Sequence, residues 1–320
     1  MQHEVRVVLT GAAGFIGSHL VDRYLFDGHE VIGIDNLCTG SLENLSVSLR
    51  NERFIFLQQD VSTGIIVNGD VDLILHFASP ASPVDYSRLA LQTLTVNSVG
   101  TSHVCDLAER HYARLIFAST SEVYGEPLVH PQPESYWGNV NPTGPRACYD
   151  EAKRFGEALV TTRVRLRDLD ARIVRIFNTY GPRMRIDDGR VVPNFLAQAL
   201  AHEPLTVYGD GTQTRSFTYV DDIVEGVIRT ANLEDASGLI VNLGHTEETT
   251  ICDVAKLVAE LTGTRCLIET HPRPTDEPSR RCPDLSRAHA LLAWTPSVPL
   301  RDGLSRTLRW WREQRARERT

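Results

Sequence analysis

The sequence lacks the features that mark several common classes of protein. No hydrophobic run approaches the ~18 residues that a membrane-spanning helix needs. The six cysteines include no C-x-x-C pair, which argues against a zinc ribbon or a dithiol redox motif. The net charge of −8 argues against a general nucleic-acid or anionic-membrane binder, since phosphates are bound by clustered positive charge. We therefore expect a cytoplasmic protein with free thiols, without a metal, a membrane span or a nucleic-acid partner.

The chain does contain a regular alternation of short apolar runs and helical patterns. With 320 residues, 42% of them hydrophobic, it has the composition of a globular protein with a substantial core. Strand-like runs lie at residues 5–9, 30–34, 54–57, 73–77, 115–118 and 173–177, and helical stretches lie around 18–27, 83–112 and 149–169. This order predicts an α/β fold, a doubly wound and mostly parallel sheet covered by helices on both faces.

After about residue 180 the pattern becomes less regular and rich in turn residues. Turn chemistry recurs at Gly181-Pro182, Asp187-Asp188-Gly189 and Gly209-Asp210-Gly211. Short strands are predicted at 205–208 and 239–242, and helices at 191–201, 221–231, 251–261 and 301–320. We expect one domain over residues 1–180 and a smaller substrate-binding portion over residues 181–320, with some crossing of the chain between the two.

The first strand leads into a glycine-rich loop that predicts a dinucleotide site. Gly11, Gly14 and Gly17 stand between the strand and a helix, where glycines permit a tight turn and let the backbone approach a pyrophosphate. Asp35 closes the second strand, where a carboxylate can accept hydrogen bonds from both ribose hydroxyls and repels a 2′-phosphate. The sequence therefore predicts a Rossmann domain that binds NAD rather than NADP.

The G-x-x-G-x-x-G spacing resembles that of the short-chain dehydrogenase/reductase superfamily. Asp60-Val61, His76-Phe77-Ala78-Ser79 and Asn97 match positions where that superfamily contacts the cofactor or orders the active site. His76 is interpreted as a packed residue at a strand end.

A tyrosine and a lysine in one helix are the strongest chemical candidates. Tyr149 and Lys153 share a helix face at i and i+4, so that the ammonium favours the ionised phenol, with the positive nicotinamide as a second contribution. Lys153 and Lys256 are the only lysines, so a chance occurrence of this spacing is rarer here than in a lysine-rich chain. Thr120 follows the fifth strand, and its hydroxyl can bind the oxygen that alternates between alcohol and ketone. This trio predicts oxidation and reduction of a hydroxyl group.

Longer segments resemble one narrower family, the UDP-glucuronate decarboxylases, nearly from end to end. They are Phe77-Ala78-Ser79-Pro80-Ala81-Ser82-Pro83, Thr120-Ser121-Glu122-Val123-Tyr124-Gly125, residues 144–154, residues 175–184, residues 188–192, residues 204–209 and residues 213–217. The resemblance implies NAD-dependent decarboxylation of UDP-glucuronic acid to UDP-xylose through a 4-keto intermediate, with recycling of the cofactor. The alternatives are a 4-epimerase, a 4,6-dehydratase, a decarboxylase that releases the UDP-4-keto-pentose, and a cofactor-binding protein without catalysis.

Two adjacent residues favour decarboxylation among these alternatives. The related 4,6-dehydratases have Asp-Glu where this chain has Ser121-Glu122, and a serine is a poor acid for expelling water. A 4-epimerase would not need the glutamate. In one role, Glu122 orients the substrate's carboxylate out of the ring plane, and its negative charge favours neutral CO2. In the other, it relays a proton to C5 through water or the Ser121 hydroxyl, and the sequence leaves these two roles open.

The resemblance also implies a full set of site residues and a homodimer. Catalytic residues are Thr120, Glu122, Tyr149 and Lys153; cofactor-binding residues are Gly11, Gly14, Phe15, Ile16, Gly17, Asp35, Asn36, Gly40, Asp60, Val61, Phe77, Ala78, Ser79, Tyr149, Lys153, Thr179 and Arg185. Substrate-binding residues for the UDP-sugar are Ser121, Asn178, Arg190, Val192, Tyr208, Gln213, Arg215 and Arg281. Thr95 and His103 stand where the family is expected to have lysine and asparagine.

Overall fold

The central element of the computed structural model, which describes residues 4–265 and 267–317, is a parallel sheet of seven strands. In chain order its strands are β1 (Arg6–Thr10), β2 (Glu30–Asp35), β3 (Phe54–Gln58), β4 (Leu73–His76), β5 (Arg114–Thr120), β6 (Ala171–Ile176) and, far along the chain, β11 (Ile240–Leu243). Their order in the sheet is β11-β6-β5-β4-β1-β2-β3. The predicted doubly wound α/β fold is confirmed.

The strands carry apolar residues on both faces because helices cover both faces of the sheet. Val7, Val8 and Leu9 of β1 are fully buried, although their side chains point alternately to opposite faces. The helices are α1 (Phe15–Phe26), α2 (Pro83–Arg88), α3 (Ala90–Thr95), α4 (Thr101–His111), α5 (Ala147–Arg167), α6 (Val191–Ala201), α7 (Val220–Asn232), α8 (Ile251–Thr262), α9 (Ser286–Leu292) and α10 (Leu300–Arg317).

The C-terminal part adds three small sheets, which stand over the carboxyl ends of the large one. Their strands are β7 (Thr179–Tyr180), β8 (Leu205–Tyr208), β9 (Thr214–Ser216), β10 (Thr218–Tyr219), β12 (Glu248–Thr250), β13 (Ile268–His271) and β14 (Arg280–Arg281). They pair as β10-β7, β12-β9-β14 and β13-β8. The chain returns to the large sheet through β11, which pairs with β6. The candidate site lies in the cleft between the large sheet and these small sheets.

The sequence predicts most elements to within a few residues, and one difference concerns the stretch 83–112. The pattern predicts a single helical run there, whereas the structure has α2, α3, a π-helical turn at Val96–Gly100 and α4. The terminal helix predicted over 301–320 extends from Leu300 to Arg317, and residues 318–320 lie outside the described part of the chain. Within the described ranges, no helix is both long and apolar enough to cross a membrane.

Candidate active site

A cavity of about 1070 Å³ lies at the carboxyl ends of the parallel strands. This is the edge where doubly wound folds bind ligands. Most of the predicted site residues line the cavity: Gly11, Gly14, Phe15, Ile16, Gly17, Phe77, Ser79, Thr120, Ser121, Glu122, Tyr149, Lys153, Asn178, Thr179, Arg185, Arg190, Val192, Tyr208, Arg215 and Arg281. The remaining ones are not part of its lining in the described residues: Asp35, Asn36, Gly40, Asp60, Val61, Ala78 and Gln213. The structure thus brings residues from both parts of the chain to one cleft.

The glycine turn between β1 and α1 is built for close approach. Gly11 has a φ of +75°, and a Cβ there would lie 2.7 Å from the carbonyl carbon of Phe77. A Cβ on Gly17 would lie 2.0 Å from the carbonyl oxygen of Gly11, so only glycine lets the helix pack against the turn. Gly14, the residue before α1, would meet only the Gly11 oxygen, at 3.2 Å. The turn is therefore a bare backbone surface on the cavity wall.

The first turn of α1 suits the pyrophosphate of a dinucleotide. The amides of Phe15, Ile16 and Gly17 have no partner within the helix, as in any first helical turn. Gly14 provides no capping side chain, and the first turn carries no acidic residue. Backbone donors and the positive end of the helix dipole therefore face the cavity, and these residues fit NAD.

Asp35 ends β2 directly beside this turn. Its carboxylate accepts hydrogen bonds from the amides of Ala13 at 3.0 Å and Leu37 at 2.8 Å, and burial raises its pKa. A Cβ on Gly40 would lie 3.0 Å from the same carboxylate. Each carboxylate oxygen keeps a second lone pair, so Asp35 can still accept bonds from ribose hydroxyls.

Several other residues predicted for the cofactor lie outside the cavity lining. Asn36 Nδ2 donates to Asp60 Oδ2 at 2.9 Å, and the carbonyl of Val61 is hydrogen-bonded to His103 Nδ1 at 2.8 Å. The amide of Ala78 donates to Thr10 at 3.3 Å, at the inner end of the same edge. The first contact joins two of the predicted cofactor residues, Asn36 and Asp60, which follow Asp35 and β3 respectively.

Tyr149 and Lys153 lie in the first two turns of α5, facing Thr120 at the end of β5. The Tyr149 ring stacks on Tyr86 with centroids 5.0 Å apart and an angle of 8° between the planes. Lys153 Nζ donates to the Ala118 carbonyl at 2.8 Å and lies 6.0 Å from the centre of the Tyr149 ring. The predicted trio is therefore assembled at one point on the cavity wall.

The pKa values of Tyr149 and Lys153 differ from those expected if the lysine alone activated the phenol. Burial and the negative charge of Glu122 raise the pKa of Tyr149, and a hydrogen bond with Thr120 works in the opposite direction. Burial lowers the pKa of Lys153 to about 7, against the attraction of Glu157. The predicted lowering of the phenol pKa therefore requires the second contribution, a positive charge from a bound nicotinamide.

Glu122 is held by two arginines. Arg146 donates to Glu122 Oε2 at 2.5 Å, and Arg281 donates to both carboxylate oxygens, to Oε2 at 2.8 Å. Although burial acts in the opposite direction, Arg281 and Arg146 lower the pKa of Glu122 to about 2. An anion with both oxygens engaged is a poor proton carrier, so this geometry favours the first of the two roles open for Glu122.

The arginines predicted for the nucleotide, Arg190 and Arg215, also line the cavity. Arg190 forms a bidentate pair with Asp188 at 2.5 and 2.7 Å, and Arg215 binds Glu277 at 3.0 Å. Gln213 donates to the Tyr208 carbonyl at 2.7 Å, beside a half-exposed Tyr208 ring.

Sequence reasoning missed Arg146, Tyr86 and Glu277, all of which line the cavity. Arg146 stands inside one of the motif segments, and its spacing of four residues from Asp150 was the available signal. Nothing in the local pattern marks Tyr86, because its role comes from stacking on Tyr149, 63 residues away in sequence.

His76 has the packing role predicted for it. It is fully buried at the end of β4, 2.7 Å from Thr10 Oγ1 through Nδ1 and 3.1 Å from Thr101 Oγ1 through Nε2. Burial lowers its pKa to about 3, which keeps the ring neutral. Across residues 4–265 and 267–317, no group of three or more His, Cys, Asp or Glu side chains is arranged to hold a metal ion.

Comparison with known proteins identifies the family. Residues 7–244 match the model of the NAD dependent epimerase/dehydratase family. The chain belongs to this family. Its dependence on NAD and the predicted resemblance to UDP-glucuronate decarboxylases are confirmed. UDP-glucuronic acid decarboxylase 1 of Danio rerio is 48% identical over 306 residues, covering 96% of this chain and 72% of the relative. UDP-glucuronic acid decarboxylase 4 of Arabidopsis thaliana is 50% identical over 310 residues, covering 97% and 69%.

The solved structures of the family share the whole fold. The UDP-glucuronic acid 4-epimerase of Bacillus cereus, solved with UDP-glucuronic acid and NAD, superimposes with a TM-score of 0.85 at 29% identity and covers 97% of this chain and 99% of its own.

Proposed function

We propose that this protein is a UDP-glucuronate decarboxylase, which converts UDP-glucuronic acid to UDP-xylose and CO2 with recycling of NAD. The observation that carries the proposal is Ser121-Glu122 beside the Thr120–Tyr149–Lys153 trio, in a chain about half identical to decarboxylases. A dehydratase needs an acid at position 121 to expel water, and decarboxylation needs none there. The substrate and product named here are those of the relatives' activity.

The first part of the mechanism is a proton transfer at C4 of the sugar. Tyr149 removes the proton of the C4 hydroxyl, and Thr120 donates a hydrogen bond to the resulting oxygen. When bound, NAD would supply the hydride acceptor for C4 and the hydride donor after CO2 has left, so the reaction has no net redox change. Lys153 is fixed by Ala118 on the side of the phenol and stabilises its negative charge.

The second part is the loss of CO2. With a ketone at C4, the carboxylate on C5 is β to a carbonyl, and the electrons of the breaking bond flow into that carbonyl. Thr120 and the Tyr149 hydroxyl stabilise the enolate oxygen with donors already in position. A proton from water then binds to C5, which restores the C4 ketone that is reduced in the last step. We propose that Arg146 and Arg281, which line the cavity around Glu122, bind the uronate carboxylate before it leaves.

The remaining predicted residues divide between two ligands. Residues 1–180 are proposed to bind NAD, with the pyrophosphate on Gly11, Gly14, Phe15, Ile16 and Gly17, the adenosine at Asp35, Asn36, Gly40, Asp60 and Val61, and the nicotinamide half at Phe77, Ala78, Ser79 and Thr179, joined by Arg185 from the second part. Residues 181–320 are proposed to bind mainly the nucleotide, through Arg190, Val192, Tyr208, Gln213 and Arg215, with Asn178 from the first part. Paired arginines suit a diphosphate, and the half-exposed ring of Tyr208 can stack on uracil.

We further propose a homodimer formed through the helical segments at 87–111 and 149–167. Apolar side chains that do not face the sheet are exposed there: Leu91, Leu94, Val99, Phe155 and Leu166. Such a stripe on two adjacent helices can pair with a second copy as a four-helix interface. A monomeric mass in light scattering at micromolar concentration would contradict this proposal. A cytoplasmic location is also proposed; cell fractionation tests it.

The function is tested by product analysis. Purified protein is incubated with UDP-glucuronate and NAD, and the products are identified by mass and proton NMR. We expect UDP-xylose and CO2, and we expect Tyr149→Phe to lower turnover by several orders of magnitude while UDP still binds. UDP-galacturonate as the product would indicate a 4-epimerase. A 4-keto-6-deoxy sugar from UDP-glucose, without CO2 from UDP-glucuronate, would indicate a dehydratase.

A further inference from the structure

Four charged side chains form a buried cluster behind the catalytic tyrosine. Glu122 lies at its centre and is bound by Arg146 and Arg281. The fourth member is Asp150, whose Oδ2 lies 3.8 Å from Arg146 Nε. Glu122, Arg146 and Arg281 line the cavity, and Asp150 stands behind them in the first turn of α5.

The two carboxyl groups of the cluster are held very differently. Glu122 receives hydrogen bonds on both oxygens. By contrast, Asp150 Oδ1 and Arg146 Nε are buried and have no hydrogen-bond partner among the described residues. A buried carboxylate oxygen without a donor costs free energy, and a protonated carboxyl group loses much less on burial. The cluster therefore accommodates a proton most easily on Asp150.

The charge balance of the cluster also favours a proton on Asp150. With both carboxyl groups ionised, two arginines balance two acids, and a substrate carboxylate in the cluster would add an uncompensated negative charge. With a proton on Asp150, the two arginines balance Glu122 and the substrate. Desolvated charges in such a site must be paired to be tolerated.

We propose that Asp150 is a positioning residue that takes up a proton when the substrate's carboxylate enters the cluster, so that Arg146 and Arg281 bind this carboxylate and still hold Glu122. The proposal deepens the proposed function and depends on the uronate being the substrate. Asp150 acts through Arg146 and does not touch the reacting atoms.

The surroundings of Asp150 support this assignment. The titratable and charged groups that act on it or respond to it are Glu122, Arg146, Arg281, Glu151, Tyr86, Cys148 and Tyr149. Burial and Glu122 raise the pKa of Asp150 to about 7, against the two arginines. Since the pKa of Glu122 is about 2, a proton that enters near neutral pH goes to Asp150.

The test measures protons taken up on binding. Titration calorimetry at pH 7 is carried out in two buffers of different ionisation enthalpy, with UDP-glucuronate and with UDP, on Tyr149→Phe protein with NAD, which binds without turnover. A group with a pKa of about 7 is half protonated at pH 7. The protein should therefore take up about half a proton more when it binds UDP-glucuronate than when it binds UDP. This excess should approach one proton at pH 8 and vanish at pH 6.

A second substitution assigns the proton. Adding Asp150→Asn should abolish the excess while UDP-glucuronate still binds, because the amide has the shape of the protonated acid. Glu151→Gln, which removes a charge one residue along the helix, should leave the excess in place. In protein with Tyr149 in place, KM for UDP-glucuronate should rise about tenfold per pH unit above pH 7. Asp150→Asn should suppress this rise.

Two results would overturn the inference, and they are distinct from failure of the proposed function. In the first, the excess proton uptake persists in Asp150→Asn. In the second, the excess is absent at every pH in protein that keeps Asp150, and this measurement needs no substitution at this position. If the unaltered protein releases CO2 from UDP-glucuronate, either result refutes the role of Asp150 alone. If it releases none, both the proposed function and this inference fail.

Discussion

Replacing Glu122 by glutamine tests whether its ion pairs with Arg146 and Arg281 stabilise the folded protein. The substitution keeps the shape of the side chain and removes the charge that pairs with Arg146 and Arg281. Both arginines then stay buried with a neutral amide as their partner, and Asp150 remains as an acid 3.8 Å from Arg146. Breaking a buried ion pair by removing one partner is strongly destabilising, since it leaves an uncompensated charge.

The expected size of this effect follows from the pKa of Glu122. Its value lies at about 2, compared with 4.5 for an ordinary glutamate, and the side chain is 15% exposed. At about 1.4 kcal/mol for each pH unit, the difference corresponds to about 3 kcal/mol of the free energy of unfolding at pH 7. Because the pKa is lower in the folded state, this contribution is complete above pH 4.5 and is lost as the pH falls toward about 2. Asp150 ionises more readily once Glu122 is neutral, which makes 3 kcal/mol an upper value.

Urea unfolding followed by tryptophan fluorescence measures the effect. The unaltered protein should be more stable than Glu122→Gln at pH 7, and the two curves should converge as the pH is lowered. Glu260→Gln is the matched control, since Glu260 pairs with Arg301 at 2.6 Å where both side chains are more than half exposed; it should cost less than about 1 kcal/mol. A loss below about 1 kcal/mol in Glu122→Gln, with a difference that does not change with pH, would refute the reasoning.

Two further predictions concern the cofactor and the catalytic lysine. Asp35→Ala should bring the dissociation constants of NADP and NAD closer together, because the carboxylate that repels the 2′-phosphate is gone; unaltered protein that binds both equally well would contradict the assignment of Asp35. Glu157→Gln should lower the pKa of Lys153 below about 7, since Glu157 is the group that raises it. A smaller fraction of the lysine is then charged at pH 7, and the loss of turnover with rising pH should begin at lower pH than in the unaltered protein; coincident pH profiles would count against a need for the charged lysine.

The fold is largely readable from the sequence because a buried parallel sheet requires apolar strands, and such strands alternate visibly with helices. The division of the stretch 83–112 into separate helices was not predicted, because polar side chains that bond the backbone contribute to the break. Thr93, Thr95 and Ser98 each bond the carbonyl four residues earlier, and Asn97 Nδ2 divides its bonds between Thr93 and Ser79. Side chains that compete for backbone acceptors bend a helix without changing its hydrophobic pattern.

The two halves of the site differ in how far they can be predicted. Tyr149 and Lys153 are visible because one helix and one spacing fix their relation. The partners of Glu122 are 24 and 159 residues away, and no local pattern connects them. Burial of Lys153 and Tyr149 also depends on packing between distant elements, so their pKa shifts could not be read from the motif.

Helix α5 is the element that joins oxidation at C4 to the loss of CO2 at C5. Asp150, Lys153 and Glu157 recur at spacings of three and four residues, which places them on one helix face together with Tyr149. This face lies close to β5 because Gly156 has no side chain: a Cβ there would lie 2.4 Å from the Phe117 ring. The ring is also the surface over which Lys153 lies, at 5.1 Å from its centre. A rotation of α5 would therefore move Tyr149 away from Thr120 and Arg146 away from Glu122 together, so the groups proposed for oxidation and for binding the carboxylate are kept in register by one rigid helix.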